Sequence, residues 1–242
     1  MNYIGREIIS FLTQLVVWGP GLLLGVILHE YAHGYVAYRN GDFTAKSMGR
    51  LTLNPLAHID LFGSILLPLL LILINSSIVF GYAKPVPINP GYFKNYRKGI
   101  RYTSLAGPVT NLIIAFIVGS LYGLFYYILR ILFNFPIGAF LAGNVGSQLL
   151  TIIQNIFISA IYINIFLAIF NFIPIPPLDG SKILASFLPG ETMHRFLRMG
   201  RFGFIFIFVI LFLGGRIFWG IISPIFSFIY NICLWWQYII GG

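Results

Sequence analysis

Charge is what this chain has least of. Only 9% of its 242 residues are Asp, Glu, Lys or Arg, and the acids number just 6. Soluble domains are about 25% charged. With 58% of its residues hydrophobic, a chain folded in water would lack the polar surface to face it. That excludes the ordinary globular class and leaves lipid as the solvent. There is one cysteine, Cys233, so an internal disulfide is excluded, and with it the disulfide-stapled secreted domain. No polar stretch is long enough to build a second, soluble domain, and no internal repeat or low-complexity tract is present. One membrane-embedded domain over 1–242 is expected, with a motif-bearing core at about 8–188 and C-terminal membrane segments at about 202–240.

What charge there is sits between long apolar tracts. None falls between Ile8 and His29 or between Leu61 and Ala83. Arg130 is alone between Tyr102 and Phe172, and Arg216 is alone after Phe202. A bilayer needs about 20 apolar residues to span it. The formal net charge of +9 therefore reads as positive-inside loops rather than as a nucleic-acid surface, and no nucleic-acid partner is expected. The first apolar tract has no small-residue cleavage site before His29 and reads as a retained transmembrane helix, not a signal peptide.

The pattern predicts helices over about 7–38, 102–133 and 148–170, a short helix over 181–188, and one or two further segments over 202–240. Asn40-Gly41 is a C-terminal stop for the first helix. Arg50–Asn54 alternates weakly and predicts a short strand. Pro85, Pro87 and Pro90 forbid a helix and predict an extended segment over 82–89. The fold class is thus an all-α polytopic membrane protein of five to six segments, with short β-strands near its site.

Chemistry concentrates at His29-Glu30-Tyr31-Ala32-His33. Residues four apart share a helix face, so both imidazoles can address one ion, with Glu30 beside them as general base for an activated water. An unpaired carboxylate at membrane depth costs roughly 2.5 kcal/mol or more, which asks for a function. Catalytic zinc sites take three protein ligands. Asp42, Asp60, Asp179 and Glu191 are all candidates for the third, and spacing does not choose among them. His58 fits loop packing better than a metal, and His194, among Arg195, Arg198 and Arg201, fits a headgroup-facing position.

Three motifs in order, HEYAH (29–33), AGPVTN (106–111) and NFIP leading to PLDG (171–180), resemble the site-2 protease family of intramembrane metalloproteases. GRLTLNPLAHID (49–60) and YAKPVPINP (82–90) resemble its short subgroup without an added soluble domain. The resemblance implies one Zn2+ per chain, held by His29, His33 and Asp179, with Glu30 as the catalytic glutamate. It implies that Asn111 faces the site and polarises the scissile carbonyl, although a buried amide can equally bond helices together. The implied activity is zinc-dependent endopeptidase cleavage in or near a transmembrane segment of a membrane-protein substrate. The alternative is a zinc-binding transporter or a non-catalytic scaffold.

Parity then constrains topology. His29, His33 and Asp179 must share a leaflet, which fails if 61–80 is a complete span and holds if it re-enters on one side. Loops 39–60, 81–101 and 181–201 then share a face that carries most of the 15 basic residues, and positive-inside makes it the cytoplasmic face of a prokaryotic plasma membrane. Extended residues 82–89 would bind an unwound substrate by strand addition through the free N–H groups of Lys84, Val86 and Ile88.

Overall fold

The computed structural model describes residues 3–66, 70, 83–134, 141–203 and 215–240. Those residues are dominated by helices, and none of them is in a β-strand. In chain order the helices are α1 (Tyr3–Arg39), α2 (Thr44–Ser47), α3 (Tyr96–Leu132), α4 (Asn144–Phe172), α5 (Asp179–Ala185), α6 (Gly190–Arg198), α7 (Gly215–Cys233) and α8 (Gln237–Ile240). Three of them, α1, α3 and α4, are long and apolar enough to cross a membrane. Only 11% of the most apolar window of α1 is buried. Ile9, Leu12, Leu15 and Leu23 on that helix are each about half exposed. Apolar side chains presented in such numbers suit hydrocarbon, not water.

The helices predicted over 7–38, 102–133, 148–170 and 181–188 are present, with shifted ends, whereas the segments predicted over 202–240 lie partly outside the described residues. Helix α1 stops where expected. Gly41 takes φ 107°, a left-handed position that residues with a Cβ avoid. Helix α3 starts six residues early, because the Asn95 side chain accepts from the Lys98 N–H at 3.0 Å and caps it. Arg97, Lys98 and Arg101 therefore belong to the first turns of a helix long and apolar enough to cross a membrane. Helix α4 reaches back to Asn144, and α5 begins at Asp179 itself.

The predicted strand at Arg50–Asn54 is absent. Local side-chain bonds decide the backbone there instead. Thr52 Oγ1 accepts from Asn54 N, and Asn54 Oδ1 accepts from Leu56 N, opening a 3-10 turn at Pro55–His58. The re-entrant path proposed for 61–80 lies largely outside the described residues; its start, Leu61–Leu66, is a π-helical turn. In the C-terminal region the described apolar helix, Trp219–Cys233, is shorter than the three that can span.

The chain separates into two compact units. The first comprises Met1–Gly25, Asn111–Phe170 and Phe206–Gly242. Its core holds Ala115, Tyr122, Ile161, Ile165, Phe226 and Trp236. A fully buried Asn164 bonds it internally. Its Nδ2 donates to Gly21 O at 3.2 Å and Ala160 O at 2.8 Å, and its Oδ1 accepts from Asn111. The second unit comprises Val26–Thr110 and Asn171–Ile205. Its core holds Ala37, Phe93, Ile100, Ala185 and Met193.

Candidate metal centre

All the residues below lie in the second unit, except Asn111 and its partners Gly25 and Asn164. The last three turns of α1 carry His29 and His33 four residues apart, and both are buried. Asp179 arrives from the other stretch of the unit. The Pro-rich break after α4 cannot continue a helix, and it turns through Ile175 and Leu178 into α5, whose first residue is Asp179. His33 Nε2 lies 2.9 Å from His29 Nε2 and 2.9 Å from Asp179 Oδ2, and His29 Nε2 lies 3.3 Å from the same oxygen. Among the described residues this is the one cluster of three His, Cys, Asp or Glu side chains close enough to share a metal ion.

Three observations test whether zinc fits. Ligands about 2.0–2.1 Å from a tetrahedral ion stand ~3.3 Å from one another, close to the spacings found. The His33 Nδ1–H donates to the Thr103 carbonyl at 2.6 Å, which leaves Nε2 as the ring's acceptor. Acceptor atoms thus converge, an arrangement that a cation relieves. Gly107 supplies the space. A Cβ built there would lie 2.5 Å from both imidazole Nε2 atoms, where an ion would sit. The residues fit the metal.

Glu30 projects into the same cavity. Its Oε2 accepts from the Val86 N–H at 2.8 Å, and its Oε1 makes no bond among the described residues. Val86 belongs to the extended segment 83–89, which is fastened at several points. Lys84 N donates to His58 O at 2.9 Å. Arg50 Nη2 donates to Lys84 O at 3.0 Å and Pro85 O at 3.3 Å. Asn89 N donates to the buried Asp42 at 2.6 Å.

These bonds bear on two of the three donors named for strand addition. The segment is extended, but the N–H groups of Lys84 and Val86 are engaged within the protein rather than free for a substrate. Pro85, Val86, Ile88 and Pro90 instead form a wall of a cavity of about 400 Å³ that also takes in His29, Glu30, His33, Asp179 and Lys182.

The remaining candidates sort by their partners. Asp42 is that buried clamp, and its other oxygen accepts from Thr44 N at 2.9 Å. Asp60 Oδ1 accepts from Gly63 N. Glu191 pairs with Arg195 on the exposed face of α6. His58 is buried with Nε2 2.9 Å from Thr52 O, as loop packing predicts. Asn111 makes the bonds expected of a helix-packing amide. Its Nδ2 donates to Gly25 O at 3.1 Å and Asn164 Oδ1 at 2.9 Å, so both amide hydrogens are committed to helix packing in the first unit.

Sequence reasoning missed Thr103, Lys182, Arg50 and the clamping role of Asp42. The first two carried a signal. Thr103 stands one helical turn before Gly107, and Lys182 stands three residues after Asp179. Lys182 Nζ lies 2.9 Å from Asp179 Oδ1. Burial pushes the Asp179 carboxyl up. The opposing charges of His33, when its ring is protonated, and of Lys182 outweigh burial and hold it well below the usual carboxylate range.

Comparison with known proteins agrees with this chemistry. The family model described as Peptidase family M50 matches residues 20–214. The chain is 37% identical to the Bacillus subtilis protein named "Putative zinc metalloprotease YwhC", over 89% of this chain and 88% of that one. It is 30% identical to the Mycobacterium tuberculosis protein named "Putative zinc metalloprotease Rip2", over 86% of this chain and 71% of that one. It is 31% identical to the Methanocaldococcus jannaschii protein named "Putative zinc metalloprotease MJ0611", over 76% and 74%. No solved structure matches. With apolar helices long enough for a bilayer and a buried His-His-Asp cluster suited to zinc, the chain belongs to peptidase family M50, the site-2 protease family of metalloproteases.

Proposed function

We propose that this protein is an intramembrane endopeptidase. It hydrolyses a peptide bond in or near a transmembrane segment of a membrane-protein substrate, from a site toward the cytoplasmic face of a prokaryotic plasma membrane. The observation that carries this reading is Glu30 beside three converging ligand atoms on a helix otherwise built for lipid. His29, His33 and Asp179 would hold the zinc, which supplies a Lewis acid and a water of pKa lowered toward ~7. The Val86 N–H fixes one Glu30 oxygen. The other oxygen is open to take the attacking water's proton and pass it to the leaving amine.

Cavity size supports an unwound substrate. A bilayer-spanning helix is ~30 Å long and ~10–12 Å across. That is several times the volume of a cavity of about 400 Å³. Only a few residues of peeled, extended chain would enter, passing along the wall of Pro85, Val86 and Ile88.

The test is cleavage of a model transmembrane substrate by purified protein in liposomes, with zinc measured on the same samples. Wild type should hold one zinc, and His29→Ala, His33→Ala and Asp179→Ala should each lose it. Glu30→Gln should keep zinc and lose turnover by ~100-fold or more. A Glu30→Gln protein that cleaves like wild type would leave the transporter or scaffold alternative standing.

A further inference from the structure

Asp179 has two oxygens, and they face different partners. Oδ2 lies 3.3 Å from His29 Nε2 and 2.9 Å from His33 Nε2, while Oδ1 lies 2.9 Å from Lys182 Nζ. Asp179 is the first residue of α5 and Lys182 is three residues on, so one turn of helix holds both in register. Lys182 is itself half exposed and lines the cavity with the metal cluster. Its ammonium is therefore not buried by necessity; it is placed where it meets one particular oxygen.

A carboxylate that binds a metal through both oxygens takes two coordination positions. A hydrolytic zinc site needs one position open, with three protein ligands and the fourth place for water or substrate. Two histidines and a two-oxygen aspartate would fill all four. We propose that Lys182 is a positioning residue: by holding Oδ1 it restricts Asp179 to one ligating oxygen and keeps a coordination position open for the reaction. This rests on the zinc-site reading above. It makes Lys182 a determinant of how the metal is held rather than of whether it is held. Outer partners of metal ligands characteristically act this way, by orienting them, and their loss costs ~10–100-fold in affinity or activity. Here the cost falls on activity. Removing the ammonium frees Oδ1 and its negative charge for the metal, so affinity should not fall.

The experiment compares full-length wild type, Lys182→Met and Lys182→Arg in detergent, each loaded with Co2+ in place of zinc. Visible d–d absorption distinguishes four-coordinate from five-coordinate cobalt, and zinc-edge X-ray absorption gives a second count of ligating atoms independent of turnover. Lys182→Met should hold metal at least as tightly as wild type. Its spectrum should gain a ligand or lose bound water, its kcat should drop by ~10-fold or more, and its KM should stay the same. Lys182→Arg keeps a cation on Oδ1 and should restore the wild-type spectrum and most of the turnover. Wild-type spectrum and kcat in Lys182→Met would overturn the proposal, and so would loss of metal from that variant, which would give Lys182 a merely structural role. Wild-type protein that binds no metal would remove the zinc site itself, and the proposal with it.

Discussion

Gly107 shows how far a single residue can be read before a structure exists. It stands in a motif that resembles the family, yet close helix packing explains it equally well from sequence. What separates the two readings is where its missing side chain would go, namely within 2.5 Å of both ligand nitrogens. Gly107→Ala should therefore remove zinc from protein that remains folded. Metal analysis beside a thermal melt checks it, and full zinc occupancy in the alanine variant would return Gly107 to a packing role. His29, His33 and Glu30 were legible because four-residue spacing on a helix is a strong signal. Asp179 was not legible from spacing, since four acids competed. It stood out through the PLDG resemblance, and the distances single it out from Asp42, Asp60 and Glu191. Asn111 was ambiguous because an amide suits both catalysis and helix bonding, and its bonds to Gly25 O and Asn164 Oδ1 are of the second kind.

Among the elements, the long helices and α5 were readable, and the other short ones were not. Apolar runs of the length of α1, α3 and α4 have few alternatives in lipid. Residues 42–60 and 83–93 are set by single side-chain bonds, such as Asn54 to Leu56 and Asp42 to Asn89, which leave no periodicity in the sequence. Extended structure at 83–89 follows from its prolines, but what it does with its N–H groups does not. Val86→Pro tests that element. The substitution deletes the donor that holds Glu30 Oε2 at 2.8 Å while leaving His29, His33 and Asp179 untouched. Turnover should fall ~10–100-fold at unchanged zinc content, as expected when the partner that orients a catalytic group is lost. Undiminished cleavage in a folded, zinc-loaded variant would show that this bond does not orient Glu30.

Across the molecule, the open question is which surfaces share a side of the membrane. Lys46, Lys94 and Arg198 are exposed in the second unit. Cysteines placed at these three positions, after the buried Cys233 is replaced, should all react with a membrane-impermeant reagent from the cytoplasmic side. Labelling of Lys46 and Lys94 positions from opposite sides would make 61–80 a complete span and break the parity argument. The same large-scale view gives the metal cluster a timetable. Its histidines come from α1 and its aspartate from α5, roughly 150 residues later, an interval of roughly 7–30 s at a synthesis rate of about 5–20 residues per second. Until then the growing chain carries two imidazoles and no third ligand. The cluster therefore completes only after α1, α3 and α4 have been made, and a chain that stops before Asp179 lacks its third ligand.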